Sequence, residues 1–480
     1  MRKLLFVALV WLAVTSAAAS KPNVIYILAD DLGYGDLSVL GQTRFKTPNI
    51  DALAARGMLF KQHYSGAPVC APARAALMTG KHTGHTYIRG NSEVRPEGQG
   101  PMPADTRTVA HLFKDAGYAT GLFGKWGLGA PDSASEPLKM GFDQFYGYNC
   151  QRHAHHYYPY HIWNNDRREM LWGNFGLEKN DYAPDLIQKQ ALRFIETNKD
   201  RPFFLYYAMI QPHADMDAPE KYLAKYRGKF LPENSFSGTD GGPGFRNSPY
   251  MSQPEGHAAF AAMVNVLDDA VGELLAKLDA LGLADDTLVI FTSDNGPHQE
   301  GGHNPDYFDS NGKLRGYKRD LYEGGIRVPL IARWPGKIPA GSVSEHISAF
   351  YDFLPTMAQL TGQPTPEGLD GVSMLPTLLQ QGRQRQHDYL YWEFHELQGR
   401  VAIRQGNWKG VRYKVSIDPN SPLELYDLAK DPSETKNIAA QHPEIVRELD
   451  SLLKGARTVS PLERFNFPKA TSHQDPKRGR

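Results

Sequence analysis

Asn23-Val-Ile-Tyr-Ile-Leu-Ala29 is apolar at every position after the first, the pattern of a strand covered on both faces. Three later runs share that character: 118–123, ending in Gly124-Lys125-Trp126; 203–210, ending in Gln211-Pro212-His213; and 287–292, ending in Ser293-Asp294-Asn295-Gly296. A further strand is predicted over 328–334. Helices are predicted over 47–56, 70–79, 106–116, 184–198, 255–282 and 351–361, several opened by Thr or Pro and closed by Gly. This alternation predicts an α/β sandwich built on a large, mostly parallel sheet. Residues 151–175, rich in His, Tyr and Trp, read as irregular, and 214–252, rich in Gly, Pro and Ser, as a long surface excursion. Beyond 380 the pattern changes to short strands at 389–394, 400–404 and 408–414 and a helix at 443–454. The expected division is a large domain over 20–380, a small α+β domain with an antiparallel sheet over 381–466, and a disordered tail over 467–480.

Ligands of open α/β sheets bind outside the carboxyl ends of the strands. Asp30-Asp31, Lys125, His213 and Asp294-Asn295 all stand at such ends and are expected to share one pocket. A single Asp after a strand serves as a turn or helix cap; four such ends point to a site. Asp30, Asp31, Asp294 and Asn295 offer only oxygen, a hard donor set that prefers Ca²⁺ or Mg²⁺ over zinc. Cys70 opens the helix that contains Pro72 in its first turn and Gly80 just past its end. There it faces unpaired N–H groups and the positive end of the dipole, with Arg74 a turn further in. That setting attracts a tetrahedral anion and is expected to hold a thiol as thiolate; the alternative is a buried structural cysteine.

Composition narrows the field. Fifty-three basic residues balance 53 acidic ones, so no global charge draws the chain to nucleic acid or to an anionic membrane. A basic start, the apolar run 4–14 and Ala17-Ala18-Ala19 read as a signal peptide over 1–19, implying export to the periplasm or the outside. That run is too short to span a bilayer and no later stretch qualifies. With only Cys70 and Cys150, one disulfide at most can form.

Cys70-x-Pro72-x-Arg74, continued by Leu77-Met78-Thr79-Gly80, resembles the signature of the formylglycine-dependent sulfatases, of arylsulfatase or N-acetylgalactosamine-6-sulfatase type. Leu314–Arg327, with Tyr322-Glu-Gly-Gly325, and Leu425-Tyr-Asp-Leu428 resemble further blocks of that family, so the resemblance runs from about 21 to 455. It implies an alkaline phosphatase-like α/β/α sandwich with a small second domain. It also implies hydrolysis of sulfate esters, with sulfated carbohydrate as the leading substrate. Cys70 would be oxidised to formylglycine by a formylglycine-generating enzyme. One Ca²⁺ would be held by Asp30, Asp31, Asp294, Asn295 and residue 70. Arg74, Lys125 and Lys318 would face the sulfate, and His213 or Lys318 would protonate the departing alcohol. Two alternatives are a phosphate or phosphonate ester hydrolase of the same superfamily and a non-catalytic sulfated-glycan-binding protein. The resemblance breaks at Gly127, where the family carries a histidine that meets a formylglycine hydroxyl and assists sulfate release. His298 and His303, next to the cation ligands, are expected to contact substrate and to supply the missing base. The stretch 151–163, with His153, His155, His156 and His161 among Tyr and Trp, reads as a sugar-stacking wall or as ordinary packing; no carboxylate or thiolate spacing supports a metal site there.

Overall fold

The computed structural model describes residues 21–242, 245–246 and 249–468; the expected signal peptide and residues 469–480 of the expected tail lie outside the described residues. Side chains of a strand alternate between its two faces, and in β1 (Asn23–Ala29) both sets are buried. Ile25, Ile27 and Ala29 enter one core with residues of helices Pro48–Ala55, Ala183–Thr197 and Gly256–Ala280. Val24, Tyr26 and Leu28 enter a second core with helices Cys70–Thr79, Val109–Asp115 and Phe353–Thr361. The sheet is thus the middle layer of an α/β/α sandwich.

Its other strands are β2 (Met58–Tyr64), β3 (Ala119–Lys125), β4 (Gln144–Tyr148), β5 (His161–Asn164), β6 (Arg167–Met170), β7 (Phe203–Ala208), β8 (Thr287–Ser293), β9 (Arg327–Arg333), β10 (Ser342–Ser344) and β11 (Ser348–Ala349). Their order is β10-β2-β9-β8-β1-β7-β3-β4-β5-β6, with β11 beside β2. From β8 to β4 the strands run parallel, whereas β9 is antiparallel to both β8 and β2. The hairpin β5–β6 falls inside the stretch expected to be irregular. All four residues of β6 are exposed and three are charged, so no apolar alternation marks it, and charge suits an edge strand. The excursion 214–252 is not wholly superficial either: Ala214, Asp215 and Met216 are buried against the sheet. The helix expected from 106 begins at Val109, where Thr108 caps it.

A second sheet, antiparallel, is formed by β12 (Leu390–Phe394), β13 (Arg400–Gln405), β14 (Trp408–Tyr413) and β15 (Glu424–Asp427), the last not anticipated as a strand. One face carries Tyr391, Ile403 and Leu425 under Leu449 and Leu453 of helix Pro443–Gly455. The other packs Leu390, Trp392 and Val411 against Tyr64, Leu321 and Tyr351 of the large sheet's side. Polar bonds fix this contact: Trp392 donates to the Ser65 carbonyl at 2.8 Å, and buried Lys409 meets Glu323 at 2.9 Å. Arg400 of β13 donates to the Arg319 carbonyl at 2.8 Å and to Asp320 at 2.6 Å, so the small sheet buttresses the loop that carries Lys318.

Trp392→Ala removes a fully buried indole from this seam and strands the Ser65 carbonyl. The expected loss is about 3–5 kcal/mol, read as a clear drop in the thermal unfolding midpoint. An unchanged midpoint would show that the two sheets do not depend on this contact.

Candidate active site

β8, β1, β7 and β3 are consecutive neighbours, so Asp294-Asn295, Asp30-Asp31, His213 and Lys125 leave one carboxyl edge of the sheet. The structure brings all of them together. Asp31 turns the chain off β1 with φ 65°, a left-handed conformation that Asp tolerates better than most residues. Its backbone N–H then donates to Asp294 Oδ1 at 3.1 Å, while Asp294 N–H donates to the Ala29 carbonyl at 3.0 Å.

Helix Cys70–Thr79 begins at Cys70 and ends at Gly80, whose φ of 69° closes it. Arg74, one turn in, is wholly buried and ties three strand ends together. It donates to Asp294 Oδ2 at 3.2 and 2.9 Å and to the Lys125 carbonyl at 2.6 Å, and it lies 3.4 Å from Asp30. Lys125 Nζ sits 2.6 Å from Asp30 Oδ2 and 3.4 Å from Cys70 Sγ, and Cys70 Sγ is 3.7 Å from Asp30 Oδ1. On the far side of Asp31, Lys318 Nζ donates to Asp31 Oδ2 at 2.7 Å, to His213 Nε2 at 3.1 Å and to Glu300 at 3.2 Å.

The electrostatics follow from this pairing. Burial alone would raise Asp30, yet Lys125, His213 and Arg74 outweigh it and hold the carboxyl below the usual range. Lys318 stays charged because Asp31 and Glu300 outweigh its burial. Asp294 goes the other way, raised to about 7 by burial and by Asp30 despite Arg74. His213 falls to about 4 through burial and Lys318, so its ring is neutral near pH 7. Cys70 departs from the sequence-based expectation. Burial pushes its thiol up to about 12, with Asp30 and Asp294 adding to the rise against Lys125, so it is a thiol and not a thiolate.

The donor set fits a hard cation. Three buried carboxylates crowd together, and Asn295 Oδ1 is buried without a partner among the described residues. Asp30, Asp31, Cys70 and His213 bring ligand atoms within 4.8 Å of one another. Oxygen donors prevail in the combined set, which suits Ca²⁺ or Mg²⁺.

Two sequence-based expectations need correction. His298 is fully buried, its Nε2 2.9 Å from the Pro212 carbonyl and its Nδ1 accepting from Glu300 N–H at 3.1 Å. His303 stacks on Phe260 at 3.7 Å, inside the core of helix Gly256–Ala280. Neither borders the cavity of about 190 Å³ that opens onto Cys70, His213 and Lys318. His298 stays close to Asp31 and His213, but its ring is tied to the Pro212 carbonyl and does not face the cavity. The gap left by Gly127 is instead occupied by Gln151, whose Nε2 donates to the Gly127 carbonyl at 3.0 Å. The stretch 151–163 is largely packing. Tyr157 donates to the carbonyls of Ile210 and His213 at 2.8 Å, fixing the turn after β7. His153 and His161 flank Glu97 at 3.1 and 2.9 Å, and Arg168 and Trp163 also reach that carboxylate, which makes the cluster an ion-pair network. His155 does line the Cys70 cavity and stacks on His213 at 5.1 Å.

Sequence reasoning missed Glu300, Tyr250 and Gln151. Tyr250 donates to Glu300 at 3.1 Å and closes one wall of the cavity. Gln151 follows β4, a fifth parallel strand whose short Gln144-Phe-Tyr-Gly-Tyr148 run carried too weak a signal. Both cysteines are free, so no disulfide forms. A larger cavity, about 690 Å³, lies near the other end of the Cys70 helix beside Thr79 and Leu369, but no strand-end residue borders it. Chemistry, not size, selects the site.

Comparison with known proteins agrees with this geometry. Residues 22–363 match the Sulfatase family model, and 315–458 match the model of the N-sulphoglucosamine sulphohydrolase C-terminal region. Arylsulfatase A of Homo sapiens is 32% identical over 92% of this chain and 89% of its own. N-acetylgalactosamine-6-O-sulfatase of Bacteroides thetaiotaomicron is 30% identical over 92% and 94%. The crystal structure of Ps i-CgsB in complex with k-i-k-neocarrahexaose is 28% identical and similar in fold, with a TM-score of 0.75 over 91% of this chain and 93% of that one. The chain therefore belongs to the sulfatase family: it is a sulfuric ester hydrolase with the alkaline phosphatase-like fold.

Proposed function

We propose that this sulfatase is exported and removes sulfate from sulfated carbohydrates, using Cys70 converted to formylglycine and one Ca²⁺ held by Asp30, Asp31, Asp294, Asn295 and residue 70. The observation that carries this reading is the place of Cys70: at the first turn of a helix, 3.4 Å from Lys125 Nζ and 3.7 Å from Asp30 Oδ1. Residue 70 thus meets a carboxylate and an ammonium that are paired with each other at 2.6 Å. A thiol raised to about 12 is a poor nucleophile at that spot, which favours conversion. Formylglycine would supply a hydrated aldehyde whose hydroxyl can attack sulfur. Ca²⁺ would supply Lewis acidity to the oxygens of residue 70 and of the sulfate group. Among described residues no helix is long and apolar enough to cross a membrane; export rests on the pattern of residues 1–19. The sugar preference draws on the named substrates of the relatives.

The chain's own groups divide the remaining work. Asp30, Asp31 and Asp294 face Arg74, Lys125 and Lys318, so the cluster is formally balanced. A divalent cation and a sulfate ester of charge −1 entering together would leave this balanced cluster one net positive charge, which favours an anionic nucleophile at residue 70. Arg74 orients Asp294 and Lys125, and the ammonium groups of Lys125 and Lys318 neutralise sulfate oxygens as charge develops. His213 Nδ1 meets the Ala214 carbonyl, which only accepts, so Nδ1 carries the ring hydrogen and Nε2 accepts from Lys318. The proton available to a departing alcohol therefore sits on Lys318, with His213 orienting it.

This assignment predicts a leaving-group effect. Lys318→Ala should lower kcat on an alkyl or sugar sulfate about 10²- to 10⁴-fold. The loss on 4-nitrophenyl sulfate should be much smaller, because nitrophenolate departs unprotonated. Equal losses on both esters would remove Lys318 from the acid's role.

For the cation, Asp30→Asn or Asp294→Asn should lower bound metal, read by elemental analysis, and cut sulfate release at least about a hundredfold. Chelated wild type should recover with added Ca²⁺ while the variants do not. Metal-free enzyme with full turnover would overturn the assignment.

A further inference from the structure

Gly127, two residues past Lys125 at the end of β3, carries no side chain. Its φ is 75°, and a Cβ built there would overlap the Gln151 carboxamide nitrogen. The pairing of β3 with β4 explains the meeting. Trp126 N–H donates to the Tyr148 carbonyl at 2.9 Å and Gly127 N–H to Asn149 at 3.0 Å, so the two strand ends continue side by side. Gln151 then folds back over Gly127 and donates Nε2–H to its carbonyl at 3.0 Å. That bond fixes which end of the amide is which: the nitrogen is spent on Gly127 and the oxygen is left over. Gln151 is only 9% exposed, yet its Oε1 has no partner among the described residues. The same residue lines the cavity with Cys70. A buried acceptor without a donor is costly, on the order of 1–3 kcal/mol, unless a ligand or modified group supplies the hydrogen.

We propose that Gln151 stands in for the absent residue 127 side chain, its Oε1 accepting a hydrogen bond from a hydroxyl of hydrated residue 70. This rests on the formylglycine reading above. Gln151 and Cys70 line the same cavity of about 190 Å³, so the amide that fills the space at Gly127 shares that cavity with residue 70. The bond from Nε2 to the Gly127 carbonyl polarises the amide and strengthens its oxygen as an acceptor. An amide oxygen holds a hydroxyl hydrogen without removing it. Gln151 thus orients the hydrate and stabilises it against loss of water, but is not the base for sulfate expulsion.

The test uses converted full-length protein and two readouts. Gln151→Met keeps the volume but removes the acceptor oxygen, so the hydrate should lose its partner and the free aldehyde fraction rise. Capture of residue 70 by an aminooxy reagent, followed by peptide mass, should quicken about tenfold, and kcat on 4-nitrophenyl sulfate should fall about ten- to a hundredfold with KM little changed. Gly127→Ala, whose methyl would overlap the carboxamide nitrogen, should reproduce both effects. Unchanged capture and turnover, or a defect confined to sugar substrates, would overturn the inference alone. Wild type carrying only a thiol at residue 70 while turning over would overturn it together with the formylglycine reading.

Discussion

Three carboxylates and three cations sealed from water at the end of a parallel sheet are the constraint on which the rest of this molecule depends. Asp30, Asp31, Asp294, Arg74, Lys125 and Lys318 are all buried, and each charge is tolerable only because the others are within reach. Arg74 is central: it spans from Asp294 on β8 to the Lys125 carbonyl on β3 and thereby sets where Cys70 sits. Removing Arg74 leaves Asp294 without the cation that pairs it. The cluster therefore explains why the helix start, three strand ends and a distant loop arrive at one point.

The small sheet belongs to this same account. Lys318 lies on a loop with few elements of its own, between short turns and the Tyr322-Glu-Gly-Gly bend. Arg400 grips the carbonyl after Lys318, and Lys409 neutralises Glu323 together with Glu434. These bonds convert a mobile type of segment into a fixed wall, so the second sheet contributes to chemistry by positioning one ammonium group. Tyr250 and Glu300 hold that ammonium from the opposite side.

Much of this was legible in the sequence because continuous apolar runs such as 23–29 and 287–292 announce buried strands, and their polar ends come with them. What sequence could not convey was direction. His298 and His303 follow Asn295 closely, yet the turn after Gly296 sends them into the core against Phe260 and the Pro212 carbonyl. Gln151 stayed hidden because β4 is short and contains a glycine, so its strand end gave no signal. The state of Cys70 was misjudged for an energetic reason: its helix position favours a thiolate, but complete burial beside Asp30 and Asp294 opposes charge more strongly. Tyr157 and Trp163, which read equally as a sugar wall or as packing, are nearly inaccessible and hold the β7 turn and Glu97 instead.

The central claim is that the charge cluster acts through an aldehyde at position 70, not through the native thiol. The most direct measurement is sulfate released from a sulfated sugar across preparations in which the fraction of aldehyde at residue 70, read by peptide mass, is varied. The account predicts turnover proportional to that fraction and vanishing with it, with no phosphate released from the matched phosphate ester. Full turnover from protein whose residue 70 is entirely cysteine would contradict it.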